Sequence, residues 1–313
     1  ASVFASVHHA EILALRVGEP AGSLILAAAV TIIEVSLIVS IMISGAEGSE
    51  VVARDTVFSA IMIVLNGVIG LCLVLGGRRH HEQTFQLNAA SAALAVLGTL
   101  ATLVLVLPNF VVAGALRQFS PMQLIVVSAV SLCLYAVFVF VQTIRHRDYF
   151  MEAAPAVPQS APLESAAPLR PSAHVTLLSG ILLPISLVAV ILLAKLLSHP
   201  RDSAVEAVGL PQAVVGVIIA SIVLLPEGIA SVRAALLNRL QNSVNLVLGS
   251  ALASIGMTIP VVALVAIFGK RDLTLGLVPE HMILLLLTLF VSTITLGTGR
   301  TTVLQGAVHL GIF

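Results

Sequence analysis

Two stretches decide how this sequence reads: Ala27-Ala28-Ala29-Val30-Thr31-Ile32-Ile33-Glu34-Val35-Ser36-Leu37-Ile38, and Ile222-Val223-Leu224-Leu225-Pro226-Glu227-Gly228. Each sets one carboxylic acid inside a run of aliphatic side chains. The runs belong to apolar segments near 22–44 and 211–235, long enough to cross a hydrocarbon core of ~30 Å. An acid at mid-membrane costs at least about 2.5–3.5 kcal/mol on insertion scales, and such residues mark ion or proton pathways. The plain alternative is a protonated Glu hydrogen-bonded to a neighbouring helix.

The rest of the chain has the same character. Of its 313 residues 58% are hydrophobic and 10% charged, and mean hydropathy is +1.12. A soluble domain carries about 25% charged residues. The composition excludes a soluble enzyme, a nucleic-acid binder and a disordered chain. Net charge is zero, so no global field attracts a polyanion. Cys72 and Cys133 sit in apolar stretches and read as buried thiols.

Apolar runs predict an all-α polytopic membrane protein. Its helices lie near 22–44, 54–76, 88–108, 121–144, 174–197, 211–235, 243–268 and 279–298. These make about eight full transmembrane helices, with partial helices at both ends. Residues 1–17 read as the end of an earlier helix. The segment from about Thr301 is too short to span, so the sequence reads as a piece of a longer chain. Residues 145–173, rich in Pro, Ala and Ser, predict a flexible linker. It separates residues 1–144 from 174–313. Gly67, Gly70, Gly216, Gly249 and Gly256 are expected to permit close helix approach. Lys and Arg favour the linker side nine to six, which places that face in the cytoplasm and the protein in the inner membrane.

The two acids are matched. Ser59-Ala60 follows Glu34 by 25 residues, and Ser250-Ala251 follows Glu227 by 23. Gly22 precedes the first acid by 12 and Gly216 the second by 11. The Glu227 helix is the fifth after the Glu34 helix, so it crosses the membrane in the opposite direction. The halves therefore read as two inverted-topology helical repeats, an architecture that sets transporter sites at mid-membrane.

Pro226 lacks an amide hydrogen and crowds the carbonyl four residues back, at Ile222. A freed carbonyl beside two carboxylates suits a hard cation such as Ca²⁺, which takes six to eight oxygens. Thr31, Ser59 and Ser250, with Ser36 and Ser254, are hydroxyl candidates, although Ser in a membrane helix often bonds its own backbone. Emptied of cation, two nearby buried carboxylates take up protons, because burial and mutual repulsion disfavour their charged forms. Cation and proton then compete for one pocket. His8-His9 and His80-His81 read as interfacial polar residues. No P-loop, dinucleotide-binding, HExxH or GxSxG pattern is present in the sequence.

At these residues the sequence resembles the calcium/proton exchanger family of the cation/calcium antiporter superfamily, in its ChaA-type bacterial branch. The matching stretches run from Arg16-Val-Gly-Glu-Pro-Ala-Gly to Ile33-Glu-Val-Ser-Leu-Ile, then Arg54-Asp-Thr and Leu75-Gly-Gly-Arg. In the second half they are Leu225-Pro-Glu-Gly, Leu248-Gly-Ser-Ala-Leu-Ala, Thr258-Ile-Pro-Val-Val and Thr298-Gly-Arg-Thr-Thr-Val-Leu-Gln-Gly. The resemblance implies two inverted five-helix repeats and a site at Glu34 and Glu227 for cation or protons. It implies exchange of Ca²⁺, or of Na⁺ and K⁺, for H⁺ across a lipid bilayer, with no cofactor and no enzymatic step. Other branches carry Gln where this sequence has Ala253, and often an acidic linker; here the linker is barely acidic. A channel or uniporter using the same acids is the alternative, and a membrane-embedded enzyme or assembly subunit a more distant one.

Overall fold

The computed structural model describes residues 2–18, 21–45, 48–111, 117–150, 171–196 and 212–313. Most of the predicted linker lies outside them. The helices in chain order are α1 (Ser2–Val17), α2 (Ala21–Ser44), α3 (Val52–His80), α4 (Leu87–Asn109), α5 (Pro121–Arg145) and the short α6 (Arg147–Phe150). After the linker come α7 (Ala173–Leu196), α8 (Gln212–Leu236), α9 (Leu240–Gly269), α10 (Pro279–Leu296) and α11 (Val303–Ile312). Among the described residues, seven helices are long and apolar enough to cross a membrane. Helix α8, which carries Glu227, is 25 residues long. Helices continue through Pro184, Pro226 and Pro260, as membrane helices can where neighbours satisfy the freed backbone groups.

Burial divides the helices into inner and outer sets. α3 and α9 are the most enclosed, whereas α5, α7 and α10 turn wide apolar faces outward. α9 packs against α2, α5, α8, α4 and α3, and α3 packs against α8 and α11. Water drives no helix association inside lipid, so close van der Waals fit carries more of the cohesion. A Cβ at Gly256 would lie 2.5 Å from Tyr135 Cβ, and one at Gly70 would lie 3.0 Å from the Leu310 side chain. Both glycines therefore permit close approach as expected. Gly249 does not, because nothing stands within 4 Å of its Cβ position. Cys72 is buried, but Cys133 is exposed on the outer face of α5, which corrects the expectation for that thiol.

The two ends of the bundle are tied by polar contacts. At one end Arg271 Nη2 donates to the Ile43 carbonyl (2.9 Å), Thr274 N to the Glu50 carbonyl (2.9 Å) and Leu277 N to the Leu105 carbonyl (2.9 Å). At the other, Gln83 Nε2 donates to the Ala235 carbonyl (2.8 Å), His80 Nε2 lies 2.9 Å from the Leu236 carbonyl, and Gln83–Thr84 pairs antiparallel with Arg300–Thr301. Helix α2 ends where α3 begins, while α8 ends where α3 ends. Helices α2 and α8 therefore run in opposite directions, as inverted repeats require.

Candidate cation and proton site

Helix α2 delivers Glu34 and helix α8 delivers Glu227, each 2% exposed. Their hydroxyl partners both come from α9. Ser254 Oγ donates to Glu34 Oε1 at 2.6 Å, and Ser250 Oγ donates to Glu227 Oε2. Residues four apart lie one above the other on a helix, so a single face of α9 meets both acids. The serines that hold the two carboxylates stand about 6 Å apart along the α9 axis. Glu227 Oε1 is buried with no hydrogen-bond partner. An acceptor left open in the interior is a place for a cation or a proton.

Other expected ligands are distributed unevenly. Thr31 Oγ1 bonds the Ala27 carbonyl (2.8 Å) and Ser36 Oγ the Ile32 carbonyl (2.6 Å), the local alternative that hydroxyls in helices take. Ser59 is buried on α3, but among the described residues it bonds neither acid. Ile222 is 48% exposed, and Pro226 lines a cavity of about 260 Å³ between α8 and α1, with Phe4, His8, Glu11 and Arg233. At 3.6 residues per turn both side chains turn away from Glu227. The structure thus does not gather the Ile222–Pro226 face around the acids, because that side of α8 faces outward and toward α1.

Sequence reading missed a second buried polar cluster. Asn66 Nδ2 donates to Thr288 Oγ1 (2.8 Å), its Oδ1 lies 3.1 Å from His309 Nδ1, and His309 Nε2 lies 3.2 Å from Thr295 Oγ1. Asn66 sits in a π-helical turn, Ile63–Val68, which interrupts α3. Its only sequence signal was one amide in the run Ile61-Met-Ile-Val-Leu-Asn-Gly-Val. The partners lie 222 and 243 residues away.

Oppositely running helices in a bundle of membrane-spanning helices are the inverted-repeat architecture found in many membrane transporters. The chain belongs to the sodium/calcium exchanger protein family, whose pattern matches residues 1–144 and 178–313. It is 70% identical over 312 residues to the y4hA protein of Sinorhizobium fredii, which carries the provisional name ionic transporter. It is 38% identical over 313 residues to the sodium-potassium/proton antiporter ChaA of Escherichia coli. Each match takes in 100% of this chain and 83% of the relative. Among solved structures, native YfkE aligns with a TM-score of 0.72 at 18% identity, over 99% of this chain and 85% of that one. The H⁺/Ca²⁺ exchanger CAX aligns with a TM-score of 0.68 at 14% identity, over 99% and 78%. Both likenesses are of fold.

Proposed function

We propose that this protein is a secondary antiporter that exchanges a cation for protons at Glu34 and Glu227, by alternating access between the two membrane faces. The observation that carries the reading is the pair of buried acids held by hydroxyls one turn apart on α9. Among the described residues no group of three His, Cys, Asp or Glu side chains comes together. The pocket therefore offers two negative charges and neutral oxygens. A divalent ion, two monovalent ions or two protons each neutralise it. A site that is neutral when loaded crosses a low-dielectric interior at less cost than a charged one, which obliges exchange rather than leak.

The sodium-potassium/proton name of the 38% identical relative supports monovalent cations beside Ca²⁺ as cargo. The reading places the protein in the inner membrane with the linker in the cytoplasm. Flux in proteoliposomes under an imposed pH gradient tests it, with Ca²⁺, Na⁺ and K⁺ supplied separately. Cation uptake should follow the outward proton gradient. Raising proton concentration on the cation's own face should raise the apparent KM, and saturating cation should overcome that inhibition. Flux that ignores the pH gradient would identify a channel instead.

A further inference from the structure

Hydroxyls in the membrane helices here bond an acid, a neighbouring helix or their own backbone, and a few bond nothing. Thr31, Ser36, Thr99, Thr143 and Thr293 each donate to the carbonyl four residues back. Thr56, Ser128, Ser131 and Ser292 are buried without a partner, and so are Thr258 and Ser231, which differ from those four in standing one turn from Ser254 and Glu227. Thr258 and Ser231 are both 0% exposed, and neither side-chain oxygen has a hydrogen-bond partner. A hydroxyl buried without a partner costs about 1–3 kcal/mol, so a helix position that keeps one open forgoes an inexpensive local bond.

Their positions are specific. Thr258 stands one turn beyond Ser254 on α9, the residue that bonds Glu34. Ser231 stands one turn beyond Glu227 on α8. The helices carry them in opposite directions. α9 runs from Ser254 toward Lys270, at the membrane face where Arg271 bonds Ile43. α8 runs from Glu227 toward Leu236, at the face where His80 meets its carbonyl. Each open hydroxyl is displaced by about 6 Å along its axis from an acid contact. About 18 Å further along the α9 axis than Thr258, at the membrane face, a cavity of about 610 Å³ is lined by Met42, Glu50, Gln118, Lys270 and Thr274. Ser231 lies on the α9 side of α8, where its carbonyl accepts from Ser243 Oγ (2.5 Å), and the 260 Å³ cavity against α1 is walled by another face of α8.

We infer that Thr258 and Ser231 are side-specific cation contacts, the oxygens that a dehydrating ion meets on its way to the acid pair from the α9-end face and the α8-end face respectively. The inference rests on the exchange reading above. An ion shedding water needs replacement oxygens in sequence, and a neutral hydroxyl supplies one without adding charge. Because each serves one approach, each sets the apparent affinity on one face only.

The test is side-resolved exchange in proteoliposomes of known orientation, with Ca²⁺ and Na⁺ as probes. Thr258→Val, which keeps shape and loses the hydroxyl, should raise the apparent KM about tenfold, the equivalent of ~1.4 kcal/mol, from the α9-end face alone. Ser231→Ala should do so from the α8-end face alone. Thr258→Ser should restore the affinity. Equal shifts on both faces, or none, would overturn the inference. Should Thr258→Val fail to insert, Thr258→Cys and Ser231→Cys in a Cys72→Ala, Cys133→Ala background give a second readout. Each thiol should react with an impermeant thiosulfonate from its own face only, with protection by saturating Ca²⁺; reaction from the wrong face or no protection counts against it. Glu34→Gln is run in parallel. Exchange surviving in Glu34→Gln defeats the underlying reading, whereas its loss alongside symmetric Thr258 and Ser231 effects defeats this inference alone.

Discussion

The two halves repeat one pattern of residues and use it differently. Glu34 and Ser59 in the first half answer to Glu227 and Ser250 in the second. Ser250 donates to Glu227 within its own half, while Ser59 leaves Glu34 to Ser254 of the other half. The inner helices differ as well. α9 runs 30 residues in α-helical form, but α3 is interrupted by a π turn that Asn66 ties to α10 and α11. One helix thus gathers both acids and the other is anchored to the outer bundle. A repeat supplies matched acids, and the surroundings decide which copy's hydroxyls reach them.

The comparison can be broken first at the acids. Glu34→Gln and Glu227→Gln should each reduce exchange by about 100-fold or more, since removing one partner of a buried charge contact costs roughly 3–5 kcal/mol. Gln keeps the volume, so the protein should still purify as a monodisperse species. Activity near wild type in either variant would mean that the acid only supports packing.

The serines sharpen the asymmetry. Ser250→Ala should raise the apparent cation KM by roughly 10-fold or more, because hydrogen bonds to charged groups are worth ~1.5–3 kcal/mol. Ser59→Ala should change it only a few-fold. Equal losses in both would restore a symmetric site. In the anchored half, Asn66→Leu should lower stability by about 1–3 kcal/mol, the cost of leaving buried partners unsatisfied, read as a lower midpoint of thermal unfolding in detergent. A midpoint unchanged from wild type would show that the tie to His309 and Thr288 is dispensable.

Pro226→Ala should shift cation affinity little, since the proline ring faces α1 rather than the acids. A large loss of affinity would return the Ile222 carbonyl to the site. Smallest of all, deleting 153–169 should leave basic exchange intact. That segment offers no apolar span, and exchange lost on deletion would show that it does more than connect two halves.

Much of the fold was legible because lipid leaves a chain few options. Every backbone group must bond internally, so apolar runs of spanning length became helices within a few residues of their expected ends. The run near 54–76 extends to Val52–His80, and that near 243–268 to Leu240–Gly269. The sequence was silent where distance along the chain hid a neighbour. Nothing local announces that Asn66 meets His309, or that Gly249 faces open space while Gly256 takes Tyr135.

The sequence by itself determined that the chain lives in a membrane, that it is helical, and that Glu34 and Glu227 are its deep acids. Those conclusions depend on transfer energies, which belong to each segment alone. Tertiary structure decided which oxygens face the acids. Ser250, Ser254, Thr31, Ser59, Thr258 and Ser231 are chemically alike hydroxyls in similar apolar settings. Some bond an acid, one its own helix, and others remain open, because rotation about a helix axis and the crossing of neighbouring helices set where each points. That information is carried by contacts between segments up to 220 residues apart, and no local pattern encodes it.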